Sequence, residues 1–130
     1  MVNYIAIRET FMMILVVEDD PAIGDVIQIY LHQLGLQYHL CVNGVDALNF
    51  IQQHPPDLIL LDIGLPQMNG WRLLDHMHSM NINPPVIILT AYGDVETQRL
   101  ARERGIEIFL KKPVSLTELQ TAIQHMLSLH

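Results

Sequence analysis

Cysteine is nearly missing from this chain. Cys41 is the only one, so no intrachain disulfide can form, and the composition suits a reducing compartment. Basic residues are also scarce. Seven Lys and Arg stand against fourteen Asp and Glu, a formal net charge of −7 with a pI near 5.3. That balance argues against the clustered positive surface needed to bind a duplex directly. No apolar stretch approaches the roughly 20 residues that cross a bilayer. The opening "MVNYIAIRETFMM" has a single basic residue and no long apolar core, so it makes a poor secretion signal. Repeats, low-complexity tracts and linkers are absent too. What the chain does have is apolar material: 50% of its 130 residues are hydrophobic and 16% charged, enough for one ordinary domain with a real core and too much for disorder. The expectation is a soluble, cytoplasmic single domain with no membrane and no nucleic acid among its direct partners.

Short apolar runs alternate with segments of helical period. The runs are "MMILVV" (Met12–Val17), "QYHLCV" (Gln37–Val42), "DLILL" (Asp57–Leu61), "PVIILT" (Pro85–Thr90) and "IEIFLK" (Ile106–Lys111). Between the first two, Ala22, Ile23, Val26, Ile27, Tyr30, Leu31 and Leu34 recur at helical spacing, with Asp20-Pro21 as cap and first turn and Gly35 as stop. Val45, Leu48 and Ile51 form a second stripe behind a cap at Asn43. Trp71, Leu74 and Met77 form a third, entered through the loop Gln67–Gly70. The last helix opens on the capping-box pattern Ser115-Leu-Thr-Glu118 and buries Leu119, Ile123, Met126 and Leu127. The fourth, within Gly93–Gly105, has Val95, Leu100 and Ala101 as its only apolar commitments, so it is expected to be the most mobile.

Five strand-then-helix units predict an α/β fold: a five-stranded parallel sheet with right-handed crossovers and helices on both faces. The first, third and fourth runs are almost purely aliphatic, as interior strands are. The second carries Gln37 and His39 and the fifth Glu107, which marks them as edges. This pattern matches the flavodoxin-like order 2-1-3-4-5.

In such sheets ligands bind beyond the carboxyl ends of the strands, at the switch in strand order. Those ends carry Glu18-Asp19-Asp20, Asp62, Thr90 and Lys112. Aspartate with glycine and proline after it makes an ordinary turn, and Asp20 before Pro21 reads as a helix cap. Yet adjacent strands lie about 4.8 Å apart, which brings Asp19 and Asp62 within reach of one ion. Gathered carboxylates repel unless a cation intervenes. With oxygen ligands only, that cation is hard, and Mg²⁺ suits best because it binds through one or two carboxylates plus phosphate. Lys112 adds a second positive charge and Thr90 a hydroxyl. Together these make a phosphoryl-transfer site in which Asp62 attacks in line.

"ILVVEDDPAI", "DLILLDIGLPQMNG", "VIILTA" and "FLKKPVS", in this order and spacing, resemble the receiver domain of two-component response regulators, from about Met12 to the C-terminus. The resemblance implies a receiver domain over 12–130 with residues 1–11 as an N-terminal extension, Met12 and Met13 being alternative initiators. It implies phosphoryl transfer to Asp62 from a sensor histidine kinase or histidine phosphotransfer protein. It assigns Mg²⁺ to Glu18, Asp19, Asp62 and the backbone carbonyl of Gly64. Thr90 becomes the switch hydroxyl, Lys112 the phosphoryl contact, Phe109 the aromatic switch position, and Lys112-Pro113 a cis bond. The face of the fourth helix, fifth strand and fifth helix would then change partners, either an output domain or a target protein. No dedicated turnover reaction is expected. With no output-like sequence after Leu129, the chain is expected to be a stand-alone receiver or one excised from a longer protein.

Some positions depart from the family. Gly64, two residues beyond Asp62, has no side chain to orient water, and Tyr92, two beyond Thr90, would shield the site. Slow self-dephosphorylation is expected. Phe109 replaces a tyrosine and so lacks a hydroxyl. The fifth unit lacks the acidic pair, and the last helix the arginines, of the charged dimer known in the largest DNA-binding subfamily. Two rivals remain: a phosphate-independent interaction module, and a hydrolase with an aspartyl-phosphate intermediate. The hydrolase needs a second carboxylate where Gly64 stands. A flavin-binding protein would need a Ser/Thr/Gly-rich phosphate loop after the first strand.

Overall fold

A computed structural model describes residues 12–91 and 95–129, with side chains as far as Leu127. The expected extension 1–11 and Tyr92 lie outside the described residues. Strand and helix alternate throughout: β1 (Met13–Val17), α1 (Pro21–Gln33), β2 (Gln37–Cys41), α2 (Gly44–Gln53), β3 (Leu58–Asp62), α3 (Gly70–Ser79), β4 (Val86–Thr90), α4 (Val95–Glu103), β5 (Ile108–Lys111) and α5 (Leu116–Leu129). The strands form one parallel sheet in the order β2-β1-β3-β4-β5. Composition foreshadows that order. β3 and β4 are buried along their whole length, whereas β2 and β5 each expose side chains.

Strand side chains alternate between faces, and the core divides accordingly. Ile14, Val16, Leu58, Leu60, Ile87 and Leu89 pack under α1 and α5, together with Ile27, Leu31, Leu119 and Ile123. Leu15, Val17, Ile59, Leu61 and Ile88 pack on the other face with Ala47, Ile51, Leu73, Leu74, Met77 and Ala101. Truncating one of these fully buried leucines to alanine would cost about 2–5 kcal/mol, so the sheet is a stiff platform for whatever stands at its rim.

The helix ends follow local chemistry. Asp20 accepts from the N–H groups of Ala22 and Ile23 at 2.9 and 3.3 Å. Asn43 accepts from the Asp46 N–H at 2.8 Å, and Ser115 Oγ from the Glu118 N–H at 3.1 Å. Gly35 takes a left-handed φ of 74° just past α1. The Lys112-Pro113 bond is cis, as the resemblance implies. Several expected core positions turn out otherwise. Val26 and Val45 are 41% and 42% exposed, and Val95 is 80% exposed. Each lies at the flank or first turn of its helix, beyond the width of stripe that the sheet covers. Ala101 is the buried residue of α4.

Candidate functional site

Asp62 is the last residue of β3 and is paired in register with Leu89 of β4. The strand thus continues one residue beyond its aliphatic run, and the ladder fixes the aspartate's backbone while its side chain reaches the rim. Its Oδ1 accepts the Gly64 N–H at 3.0 Å. Glu18 follows β1 directly. Its N–H donates to the Cys41 carbonyl at 3.1 Å, extending the β1–β2 pairing by one step. Its side chain is buried, with Oε2 accepting the Asp20 N–H at 3.2 Å. Asp19, beside it, is exposed. Carboxylate oxygens of Glu18, Asp19 and Asp62 all lie within 4.8 Å of one another.

Lys112, the first residue after β5, completes the group. Its Nζ lies 2.6 Å from Glu18 Oε1 and 3.3 Å from Asp62 Oδ2. Its backbone N–H donates to the carbonyl of Thr90 at 2.8 Å. Thr90, buried at the end of β4, is therefore tied directly to the lysine. Phe109 is half-buried and packs against the cluster under α2 and α3.

The electrostatics are those of a crowded anionic site. Burial pushes the Glu18 carboxyl up to about 7; the Lys112 ammonium opposes this and the Asp62 carboxyl reinforces it. Burial acts on Asp62 in the same sense. There it is outweighed by hydrogen bonding from Glu18 and the Gly64 N–H and by the charge of Lys112, so Asp62 is held below its ordinary value. Burial would lower Lys112, but Glu18 and Asp62 hold it above its usual value. Near neutral pH Glu18 is therefore only partly ionised, facing an ionised Asp62. A single ammonium faces three carboxyl groups, so the site keeps an excess of negative charge. Glu18 Oε1 is buried and meets the Lys112 ammonium at 2.6 Å. Three carboxyl groups gathered within 4.8 Å of one another, all oxygen donors, fit a hard divalent cation such as Mg²⁺.

A family model described as the response regulator receiver domain matches residues 14–124. The chain belongs to the response regulator receiver family. This receiver domain is 33% identical to sporulation initiation phosphotransferase F of Bacillus subtilis over 116 residues, 89% of this chain and 94% of that protein. It is 35% identical over 112 residues to the sensor histidine kinase RcsC of Salmonella typhi, covering 86% of this chain but 12% of the kinase. It therefore spans a small fraction of such kinases. Among solved structures, the Francisella response regulator 1452 receiver domain superposes with a TM-score of 0.81 at 30% identity, over 88% of this chain and 95% of that one. The receiver domain of sensor histidine kinase PA1611 from Pseudomonas aeruginosa gives 0.82 at 28% identity, over 90% and 98%, and holds a magnesium ion in its active-site cleft. The family is one of signalling modules, not of dedicated enzymes. No helix among the described residues is long and apolar enough to cross a membrane.

The sequence gives no sign of how α4 is attached to this receiver domain. Arg104 Nε and Nη2 donate to the two carboxylate oxygens of Asp75 at 3.0 and 3.2 Å. Nη1 donates to the Leu100 carbonyl at 2.9 Å, and the guanidinium lies 5.0 Å from the centre of the Trp71 ring. Trp71 and Asp75 stand one turn apart on α3, a spacing visible in the sequence, but their partner comes from a distant segment.

Proposed function

We propose that Asp62 accepts a phosphoryl group, in a Mg²⁺-dependent step, from the phosphohistidine of a sensor histidine kinase or a histidine phosphotransfer protein. The observation that carries this reading is the meeting of three carboxylates within 4.8 Å of one another with an ammonium 3.3 Å from Asp62 Oδ2. A carboxylate oxygen of Asp62 forms the new P–O bond. The P–N bond breaks, and its electron pair returns to the imidazole nitrogen. Glu18, Asp19, Asp62 and the Gly64 carbonyl would hold Mg²⁺, which when bound supplies positive charge to the phosphoryl oxygens. Lys112 neutralises a non-bridging oxygen, and the Thr90 hydroxyl donates to another. The magnesium in the cleft of the PA1611 receiver supports the choice of metal.

Thr90 drawn toward the phosphoryl group pulls on the chain leading to α4, and the α4–β5–α5 face then changes its affinity for an output domain or target protein. Phe109 takes part as an aromatic switch. With no hydroxyl, its ring gains nothing polar from facing outward. Gly64 favours slow loss of the phosphoryl group because it has no side chain to orient water, and Tyr92 because its ring would shield the site. The module runs from Met12 to His130, with 1–11 as an extension, and works in the cytoplasm.

Intact-mass measurement after treatment with acetyl phosphate and Mg²⁺, on wild type and Asp62→Asn, tests the reading. One phosphoryl mass on wild type and none on the variant is expected. No gain on wild type would leave a phosphate-independent interaction module. Release kinetics unaltered in both Gly64→Asn and Tyr92→Ala would remove the shielding role.

A further inference from the structure

The loop from Ile63 to Asn69 connects Asp62 to α3 and contains Gly64. Two glycines fix its course by what they lack. A Cβ on Gly70 would lie 2.8 Å from Ile63 Cδ1, 3.0 Å from Ile63 Cα and 3.1 Å from the Asp62 carbonyl oxygen. The Gly70 N–H also donates to the Ile63 carbonyl at 3.0 Å, closing the loop on itself. The second glycine is Gly44, which belongs to another element altogether. It is the first residue of α2, buried behind the Asn43 cap. A Cβ there would lie 2.5 Å from the Met68 carbonyl oxygen, 2.9 Å from Met68 Cβ and 3.2 Å from Met68 Cγ.

The nearest of those atoms is main chain, which cannot rotate aside as a side-chain tip does. Gly24 provides the contrast: a Cβ there meets only Leu40 side-chain carbons, at 3.6 and 3.7 Å. Gly44 is not at a positive φ, so backbone conformation does not demand glycine. Close approach does. Within the loop the Gly64 N–H holds Asp62 Oδ1 at 3.0 Å, which makes the loop the route by which a displaced Met68 main chain would reach the carboxylate.

We infer that Gly44 is a positioning residue for the Asp62 site: its bare Cα lets the first turn of α2 abut the Met68 main chain and hold Gly64 in place against Asp62. This rests on the Mg²⁺-dependent reading above. Gly44 touches neither metal nor phosphoryl group. It acts through the loop, as supporting residues do around metal ligands.

The test is calorimetric titration with Mg²⁺ alone, together with thermal unfolding, on wild type, Gly44→Ala, Gly24→Ala and Ile51→Val. Gly44→Ala should weaken Mg²⁺ binding about tenfold while still unfolding cooperatively. Gly24→Ala should bind as wild type. Ile51→Val, which loosens the core face of α2 without touching the loop, should lower the melting temperature at unchanged affinity. Adding Met68→Ala to Gly44→Ala should not restore binding, because the closest clash is with the carbonyl. Wild-type affinity in folded Gly44→Ala, or rescue by Met68→Ala, would overturn the inference. If Gly44→Ala does not fold, Asn43→Ala, which removes the cap holding the first turn of α2, loosens the same abutment without a clash, and wild-type affinity there would overturn it equally. Absence of Mg²⁺ binding by the wild type would instead sink the proposed function.

Discussion

Lys112 Nζ lies 2.6 Å from Glu18 Oε1 with both side chains largely withdrawn from solvent, joining the end of β5 to the end of β1 across the site. Removing one member of a buried ion pair is costly, about 3–5 kcal/mol, unless the survivor can shed its charge. Glu18 can, since its pKa already stands at about 7. Lys112→Met in Mg²⁺-free buffer is therefore expected to destabilise the protein more at about pH 8 than at about pH 6. Urea unfolding at the two pH values measures this, and equal losses would mean that Glu18 does not take up the proton.

Magnesium bound by Glu18, as proposed, would have to displace that proton. Metal affinity is thus expected to rise by up to about tenfold per pH unit below 7 and to level off above it. Folding stability without the ion has the opposite slope. The folded chain holds the Glu18 proton from its ordinary value of 4.5 up to about 7, so this group's contribution declines as pH rises through that window. Asp62, held low, contributes in the other sense, its share being lost as pH falls toward its folded value. Calorimetric titrations between about pH 6 and pH 8 check the first slope; a flat affinity would contradict it.

Cys41 is buried, and its thiol is pushed from 9.0 up to about 11, first by burial and then by the charge of Asp46. At about pH 8 its thiolate should be about a hundredfold scarcer than in the unfolded chain. Iodoacetamide labelling followed by mass should be slow in native buffer and fast in strong urea. Since the unfolded thiol ionises first, stability should fall as pH climbs from 9.0 through about 11. Rapid labelling of the native protein would show that the thiol is not enclosed.

Arg104 secures α4 to α3 through Asp75 and Trp71, whereas Val95 at the other end of the helix is 80% exposed. Arg104→Gln should cost about 1 kcal/mol, the sum of a surface ion pair and a cation–π contact. It should also speed hydrogen exchange throughout α4 and shift the emission of Trp71, the only tryptophan. Even in wild type, α4 amides should exchange faster than those of α1, which buries Ile27 and Leu31. Equal protection of the two helices would refute the idea of a weakly held α4.

Local chemistry alone determined where the strands lie, which are edges, and where the helices begin. Aliphatic runs need two covered faces, and Asp20, Asn43 and Ser115 satisfy orphan N–H groups within a few residues of themselves. That Glu18, Asp19, Asp62, Thr90 and Lys112 would share one rim was legible for the same reason: each stands at the end of an apolar run, and parallel strands put such ends together. Periodicity overreached at Val26, Val45 and Val95, because the width of a buried stripe depends on how far the neighbouring layer extends. Only the folded chain decided that Gly44 meets the Met68 carbonyl, that Arg104 finds Asp75, and that Lys112 reaches Glu18. Those contacts join segments far apart in sequence, and their geometry follows from sheet register and crossover path, which no local pattern of residues encodes.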